Sequence, residues 1–425
     1  MARSRGISRR SFVRSAVAIG GASALAACMG PEAGGAEIPQ ATLEPDELPT
    51  RQHAWNEFVP SDDHDNPRVP EHHVLLTLEY VGDGPTDEER EGLEAAFRTL
   101  ERAFERGSDG LSFTVGYSPS YFDRFEGELP DSVDLPAPEA LADIENPDLD
   151  TDDALIHLSS DYGTAVLWAE EALKGEKETV NGVDVEGDLE GVFEVTDRRT
   201  GFVGDGLPAE NQDVDGVPDS EPVPEESPLF MGFKSGFKHN QATEDRVTIE
   251  SGPFAGGTTT HLSKLHIDLR QWYEQDSRQQ RVQKMFCPAH NEEDRVEGAG
   301  HNLGASSGVE GCAHRASEDA RRGVVGHGQK AARAREDGQP IILRRDFNST
   351  DGGEPGLHFL SHQREIADFV AVREQMTGAD LAGESGAIGR RTNNGILQYL
   401  TVLCRGNYLV PPRDHRALPR PDPKA

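Results

Sequence analysis

At 425 residues the chain is long enough for two ordinary domains and a generous core. Its 76 acidic residues outnumber 42 basic ones, giving a formal net charge of -34, and only eight of the basic residues are Lys. This balance argues against nucleic acid as a partner, because binding it means neutralising phosphates with cations. Acidity spread along the whole chain instead points to a surface adapted to high salt, where screening removes most of the repulsion between exposed carboxylates.

The N-terminus reads as a targeting segment over residues 1–27. Ser8-Arg9-Arg10-Ser11-Phe12 resembles a twin-arginine export motif, and the apolar run from Ala16 to Ala27 is too short to span a bilayer. It ends in Leu25-Ala26-Ala27-Cys28, which resembles a lipobox. The expectation is an exported chain, held at the membrane by lipid on Cys28. Residues 28–70 are rich in Pro, Glu, Asp and Gly and read as an acidic tether, with a patch around Trp55 that packs onto the body.

Regular patterning begins at His72. Val74 to Leu78 reads as a strand. Thr86 and Glu89 form a capping box for a helix whose Leu93, Phe97, Leu100 and Phe104 recur at helical spacing. Leu111, Phe113, Val115 and Tyr117 alternate as a strand, and Ala154 to Leu158 is another. A helix through Val166, Ala169 and Leu173 and a strand from Gly191 to Val195 complete a βαββαβ order over residues 71–227. Asp205 to Ser227 is an acidic Pro/Gly loop.

A second unit spans residues 228–412. Ser263, Leu265, Ile267 and Leu269 alternate on a strand, followed by a helix through Trp272 and Tyr273. Ile341 to Leu343 and Leu357 to Leu360 are strands, and Ile366, Phe369, Val370 and Met376 form one face of a helix. Between them, Cys287 to Gly323 is a polar, Gly-rich excursion. Cys287 and Cys312 are the favoured disulfide pair, while Cys287, His290, Cys312 and His314 also admit a zinc reading. Residues 413–425 read as a poorly ordered tail. The fold class is α+β, with two ferredoxin-like domains.

Three pieces of the second unit combine. Gly232-Phe233-Lys234-Ser235-Gly236 is a glycine-framed loop, Gly326-His327-Gly328 lies seventeen residues before Arg344-Arg345, and Gly356 to Leu360 is a strand. Together they resemble the haem site of the dye-decolorising (DyP-type) peroxidases, over about Val74 to Pro412. The resemblance implies a dimeric α+β barrel arrangement and haem b as cofactor. It also implies His327 as iron ligand, Arg344 in the distal pocket, and Gly232, Phe233 and Gly236 over the distal face. Hydrogen peroxide and an organic reductant would be the substrates. The bottom-up case agrees for two of these. Haem iron takes a neutral imidazole, and a guanidinium stabilises the charge that develops as the O–O bond breaks.

Gly326 and Gly328 leave room for a flat macrocycle, and Asp380 and Glu384 are both candidates for a carboxylate behind the ligand. Of the two strand arginines, which point to opposite faces, Arg344 faces the haem by resemblance and Arg345 faces solvent. Trp272, Tyr273 and Tyr399 are available for radical transfer to the surface. The departure is Ser235, where the family has an aspartate. A hydroxyl is too weak an acid or base to shuttle the peroxide proton, so His239, Glu244 and Asp245 are considered as substitutes. The resulting reading is a haem peroxidase. The alternative is a haem-binding or iron-acquisition lipoprotein, which loss of the acid at 235 favours.

Overall fold

The computed structural model describes residues 37–423. The expected export motif and Cys28 lie outside the described residues. Among them, no helix is long and apolar enough to cross a membrane.

The first unit follows its sequence pattern. Strand β1 (His72–Tyr80) leads to helix α1 (Asp87–Ala103), strands β2 (Ser112–Tyr117) and β3 (Ala154–Ser160), helix α2 (Gly163–Leu173) and strand β4 (Phe193–Phe202). The capping box at α1 is formed, with the Thr86 side chain accepting from the Glu89 N–H and Glu89 accepting from the Thr86 N–H. Such a cap contributes about 1 kcal/mol. Leu93, Phe97 and Leu100 pack against the outer face of the sheet.

The second unit repeats the order. Strand β5 (Thr258–Ile267) is followed by helices α3 (Arg278–Met285) and α4 (His327–Ala331), strands β6 (Leu343–Arg344), β7 (Phe347–Ser349) and β8 (Gly356–Gln363), helix α5 (Ile366–Thr377) and strand β9 (Leu400–Val410). In each unit the first strand lies in the middle, between the third and the fourth, the arrangement expected of a ferredoxin-like sheet. The two sheets then join at both edges. Asn348 on β7 pairs with Phe202 on β4, and Leu409 on β9 pairs with Tyr117 on β2. Counting β6 and β7 as one strand, the result is a closed antiparallel barrel of eight strands. Closure removes the free strand edges that an open sheet would expose. The division near residue 227 therefore separates two halves of one barrel.

The barrel interior holds Leu75, Leu155, Leu262, Phe347, Leu360 and Tyr408. It also holds histidines. His73 stacks on Phe347 at 4.2 Å, and its Nδ1 lies 2.9 Å from His157 Nε2. His53, His358 and His362 are buried beside them.

Two expectations about the ends are corrected. Residues 38–70 are docked rather than a solvated tether. Trp55 packs onto the body as expected, but Ile38, Gln52 and His53 are buried as well, and the Gln52 side chain bonds both backbone groups of Val115. The stretch after Arg413 is likewise held, because Arg413 and Arg416 both bond the buried Glu101 of α1 and Leu418 enters the core. Polar composition signalled solvation, but these polar groups find charged and backbone partners on the body. Within the excursion, Cys287 and Cys312 form a disulfide. His290 Nδ1 lies 3.0 Å from the Cys287 sulfur, but with the sulfurs bonded to each other no thiolate remains for zinc, and His314 is exposed.

Candidate active site

The outer face of the second sheet, α4, α5 and the Gly232–Gly236 loop enclose a cavity of about 420 Å³. His327, Arg344, Ser235 and Phe233 all line it, although they lie as much as 111 positions apart in the chain. Gly232 and Gly236 adopt positive φ of 84° and 76° and turn the loop so that Phe233 and Ser235 face inward. The loop is pinned on several sides. Lys234 N–H donates to the Ala299 carbonyl at 2.8 Å, and its ammonium pairs with Asp62. The Trp272 indole N–H donates to the Met231 carbonyl at 3.0 Å. Phe233 meets Phe286 edge-on at 5.4 Å between centroids.

His327 is the first residue of α4, and among the described residues it is the only histidine lining the cavity. Burial pushes its pKa down to about 3, and Lys330, Arg344 and Arg373 push the same way, so the imidazole is neutral. Among the described residues nothing hydrogen-bonds it. Asp380 pairs with Arg333 and Glu384 with Arg321 at the surface, so neither expected carboxylate stands behind the ring.

The start of α4 is locked from behind. The Gln329 side chain accepts from the Gly326 N–H and donates to the Cys312 carbonyl and to Asp319, while its own N–H donates to the Phe286 carbonyl. The disulfide thus ties together the two segments that hold the helix.

Of the flanking glycines, Gly328 lines the cavity, whereas Gly326 lies outside the lining and serves close contact with protein. A Cβ on Gly326 would lie 1.8 Å from the Phe286 carbonyl oxygen, and one on Gly328 would lie 3.1 Å from Val309. The backbone at Gly326 suits any residue, with φ of -88°, so the cost of Gly326→Ala is steric. It is expected to destabilise the protein by about 3 kcal/mol, read by urea denaturation, and to displace His327 with its helix.

Arg344 reaches the cavity with a guanidinium that has no hydrogen-bond or ion-pair partner among the described residues. Arg345 points the other way, as strand alternation requires, but not into solvent. It is buried in the barrel, bonded to Glu244 and Asn56 and placed 5.4 Å over the Trp55 ring. That use of Glu244 removes it as a relay acid. His239 and Asp245 are exposed and do not line the cavity, so none of the three replaces the missing acid at Ser235.

Trp272 and Tyr399 are buried rather than at the surface. Their rings meet at 4.8 Å, and the Tyr399 hydroxyl bonds Asp276 and Lys284.

Several lining residues were absent from the sequence reading. Arg373 and Arg405 clamp Glu145 at 2.9–3.0 Å. Asp346 follows Arg344 by two positions, a spacing that strand alternation alone could have flagged. Among the described residues, Lys234, Arg335, Arg344, Arg373, Arg391 and Arg405 line the cavity against only Glu145 and Asp346. The lining thus carries the opposite sign to a chain of net charge -34.

A family of unknown function, DUF7405, matches residues 70–412. The chain belongs to that family. A search of curated proteins finds no match. Among solved structures, this DUF7405 chain is similar to a dye-decolorizing protein from V. cholerae, with a TM-score of 0.54 and 14% identity over 86% of this chain and 99% of that one. It is similar to a DypB variant of Rhodococcus jostii RHA1 in complex with heme, with a TM-score of 0.52 and 16% identity over 87% and 99% of the two chains. It is also similar to the encapsulated DyP-type peroxidase from Mycobacterium smegmatis, with a TM-score of 0.53 and 16% identity over 84% and 97%. At these identities the likeness shows the fold, which is that of the DyP-type proteins.

Proposed function

We propose that this chain is a haem b peroxidase that reduces hydrogen peroxide and oxidises an organic donor. One observation carries the reading. In a strongly acidic chain, the cavity is walled by apolar side chains and, among the described residues, by six cations and one histidine, which is neutral and unbonded. This donor set fits a flat apolar macrocycle bearing two carboxylates and an iron that accepts an imidazole.

His327 would hold the iron, and Phe233, Phe286 and Phe359 would exclude water from the ring. When bound, haem supplies the iron and the two electrons with which the O–O bond of peroxide is cleaved. Arg344 supplies an unpaired positive charge in the same cavity, where a fixed cation stabilises developing negative charge far better than water does. The reading extends to export by the twin-arginine route and lipid attachment at Cys28, on the motifs of residues 8–28 alone.

The test is an absorption spectrum of the protein expressed with haem, before and after peroxide, with dye oxidation measured in parallel. A Soret band is expected, and peroxide-dependent oxidation should fall on the order of 100-fold in Arg344→Ala. A haem-loaded protein inert to peroxide sinks the peroxidase. It would leave haem or iron handling, the reading favoured by an imidazole with no carboxylate behind it.

A further inference from the structure

Strand register decides which residues of the Arg344 strand share its face. Leu343 pairs with His362 and Arg344 with Ser361. Further on, Phe347 pairs with His358 and Asn348 with Leu357. The offset is the same on both sides, and the Arg345 N–H donates to the Leu360 carbonyl at 2.7 Å across the gap. The strand therefore runs from β6 into β7 without a bulge, and alternation is preserved. Arg345 and Phe347 face the barrel interior. Arg344, Asp346 and Asn348 face outward, and all three line the cavity that holds His327.

The three outward residues differ in what they bond. Asn348 Oδ1 accepts from the Phe230 N–H at 2.7 Å, and its amide donates to the Gly356 carbonyl at 3.0 Å. It thereby anchors the start of the loop that carries Ser235, so loop and strand bound one space. Glu145, the other acid of the lining, is spent between Arg373 and Arg405. Asp346 has no hydrogen-bond or ion-pair partner among the described residues, and neither has the Arg344 guanidinium beside it in the strand. A half-buried carboxylate turned toward an apolar cavity with no partner is unusual in a folded protein. An arginine and an acid both left free on one wall form a pair open to a small polar substrate.

We propose that Asp346 is the acid–base residue of the peroxide step, the work that a loop aspartate at position 235 would otherwise do. The assignment rests on the haem-peroxidase reading above. The carboxylate takes one proton from hydrogen peroxide and returns it to the departing oxygen, which leaves as water. The O–O bond would break with two electrons from the bound haem, the organic donor would later return two electrons and two protons so that the second oxygen also leaves as water, and Asp346 would end in its starting state. Ser235 contributes a hydroxyl to the wall and no proton transfer. The acid has moved from the loop to the strand while remaining in the same cavity.

The test follows association of cyanide with the haem-loaded ferric protein by stopped-flow, since hydrogen cyanide must give up a proton to a nearby base as it binds. Asp346→Asn is expected to slow association on the order of 100-fold, with the Soret band and thermal midpoint unchanged. Asp346→Glu should keep most of the rate, Ser235→Ala should keep the wild-type rate, and Ser235→Asp placed on Asp346→Asn should restore it. An unchanged rate in haem-loaded Asp346→Asn overturns the assignment and leaves the haem reading standing. A wild-type chain that takes up no haem overturns that reading, and this assignment with it.

Discussion

His327→Ala is expected to abolish the Soret band of protein expressed with haem and to weaken haem binding by at least the order of 100-fold. Losing a hydrogen-bond partner of a metal ligand already costs about 10- to 100-fold, and here the ligand itself is removed. No second imidazole can take its place, since among the described residues His327 is the only histidine on the cavity wall. The fold should survive, because the helix start is held by Gln329 and the Phe286 and Cys312 carbonyls rather than by the imidazole. Haem titration with the thermal midpoint measured in parallel checks both halves. A Soret band of normal intensity in the variant places the iron on some other residue. Retained haem in Arg344→Ala is expected in the same titration, separating the ligand from the catalytic cation.

Acid is expected to unfold the protein well above the pH at which carboxylates protonate. His53, His73, His157 and His362 fill the barrel interior and are essentially inaccessible to water. Burial is the main cause that lowers their pKa values, to about 3 for His53 and His157 and well below the ordinary value for His73 and His362. In the unfolded chain each titrates near 6.5. Above that pH both states are neutral and the stability is fully present. As pH falls below 6.5 the unfolded state takes up protons that the native state refuses, and stability is lost until about pH 3. At pH 5 the loss is about 2 kcal/mol for each histidine and about 8 kcal/mol for the four. That is on the scale of a whole domain's stability, about 5–15 kcal/mol. His358 adds less, because Asp351 at 3.5 Å partly offsets its burial. Calorimetry from pH 8 to pH 5 should show a steep fall in thermal midpoint, and an unchanged midpoint across that range would refute the account.

Periodicity and caps by themselves determined two βαββαβ units. A strand such as Val74–Leu78 or a helix capped by Thr86 and Glu89 is specified by neighbours a few residues away. The glycine-framed loop, His327 and Arg344 stood out only in combination, through their order and spacing in the resemblance to the DyP-type peroxidases, since each piece alone is a weak signal. The Cys287–Cys312 pair was the favoured one among the three remaining cysteines, and the structure forms it.

Tertiary structure alone decided how these parts meet. Barrel closure depends on β4 reaching β7 and β2 reaching β9, pairings 146 and 292 residues apart at Phe202–Asn348 and Tyr117–Leu409. No local pattern encodes such a partner. Alternation predicted that Arg344 and Arg345 diverge, but in an open sheet the second would meet water. Closure turned that face into a core, where Arg345 needs Glu244. The same distance effect docked Gln52 and Arg416 from segments whose composition reads as solvated, and it withdrew Asp380 and Glu384 to surface arginines. It also left Asp346 beside Arg344 with nothing to bond. Local sequence sets the backbone and the side a residue faces. What stands on that side is set by packing between segments hundreds of residues apart.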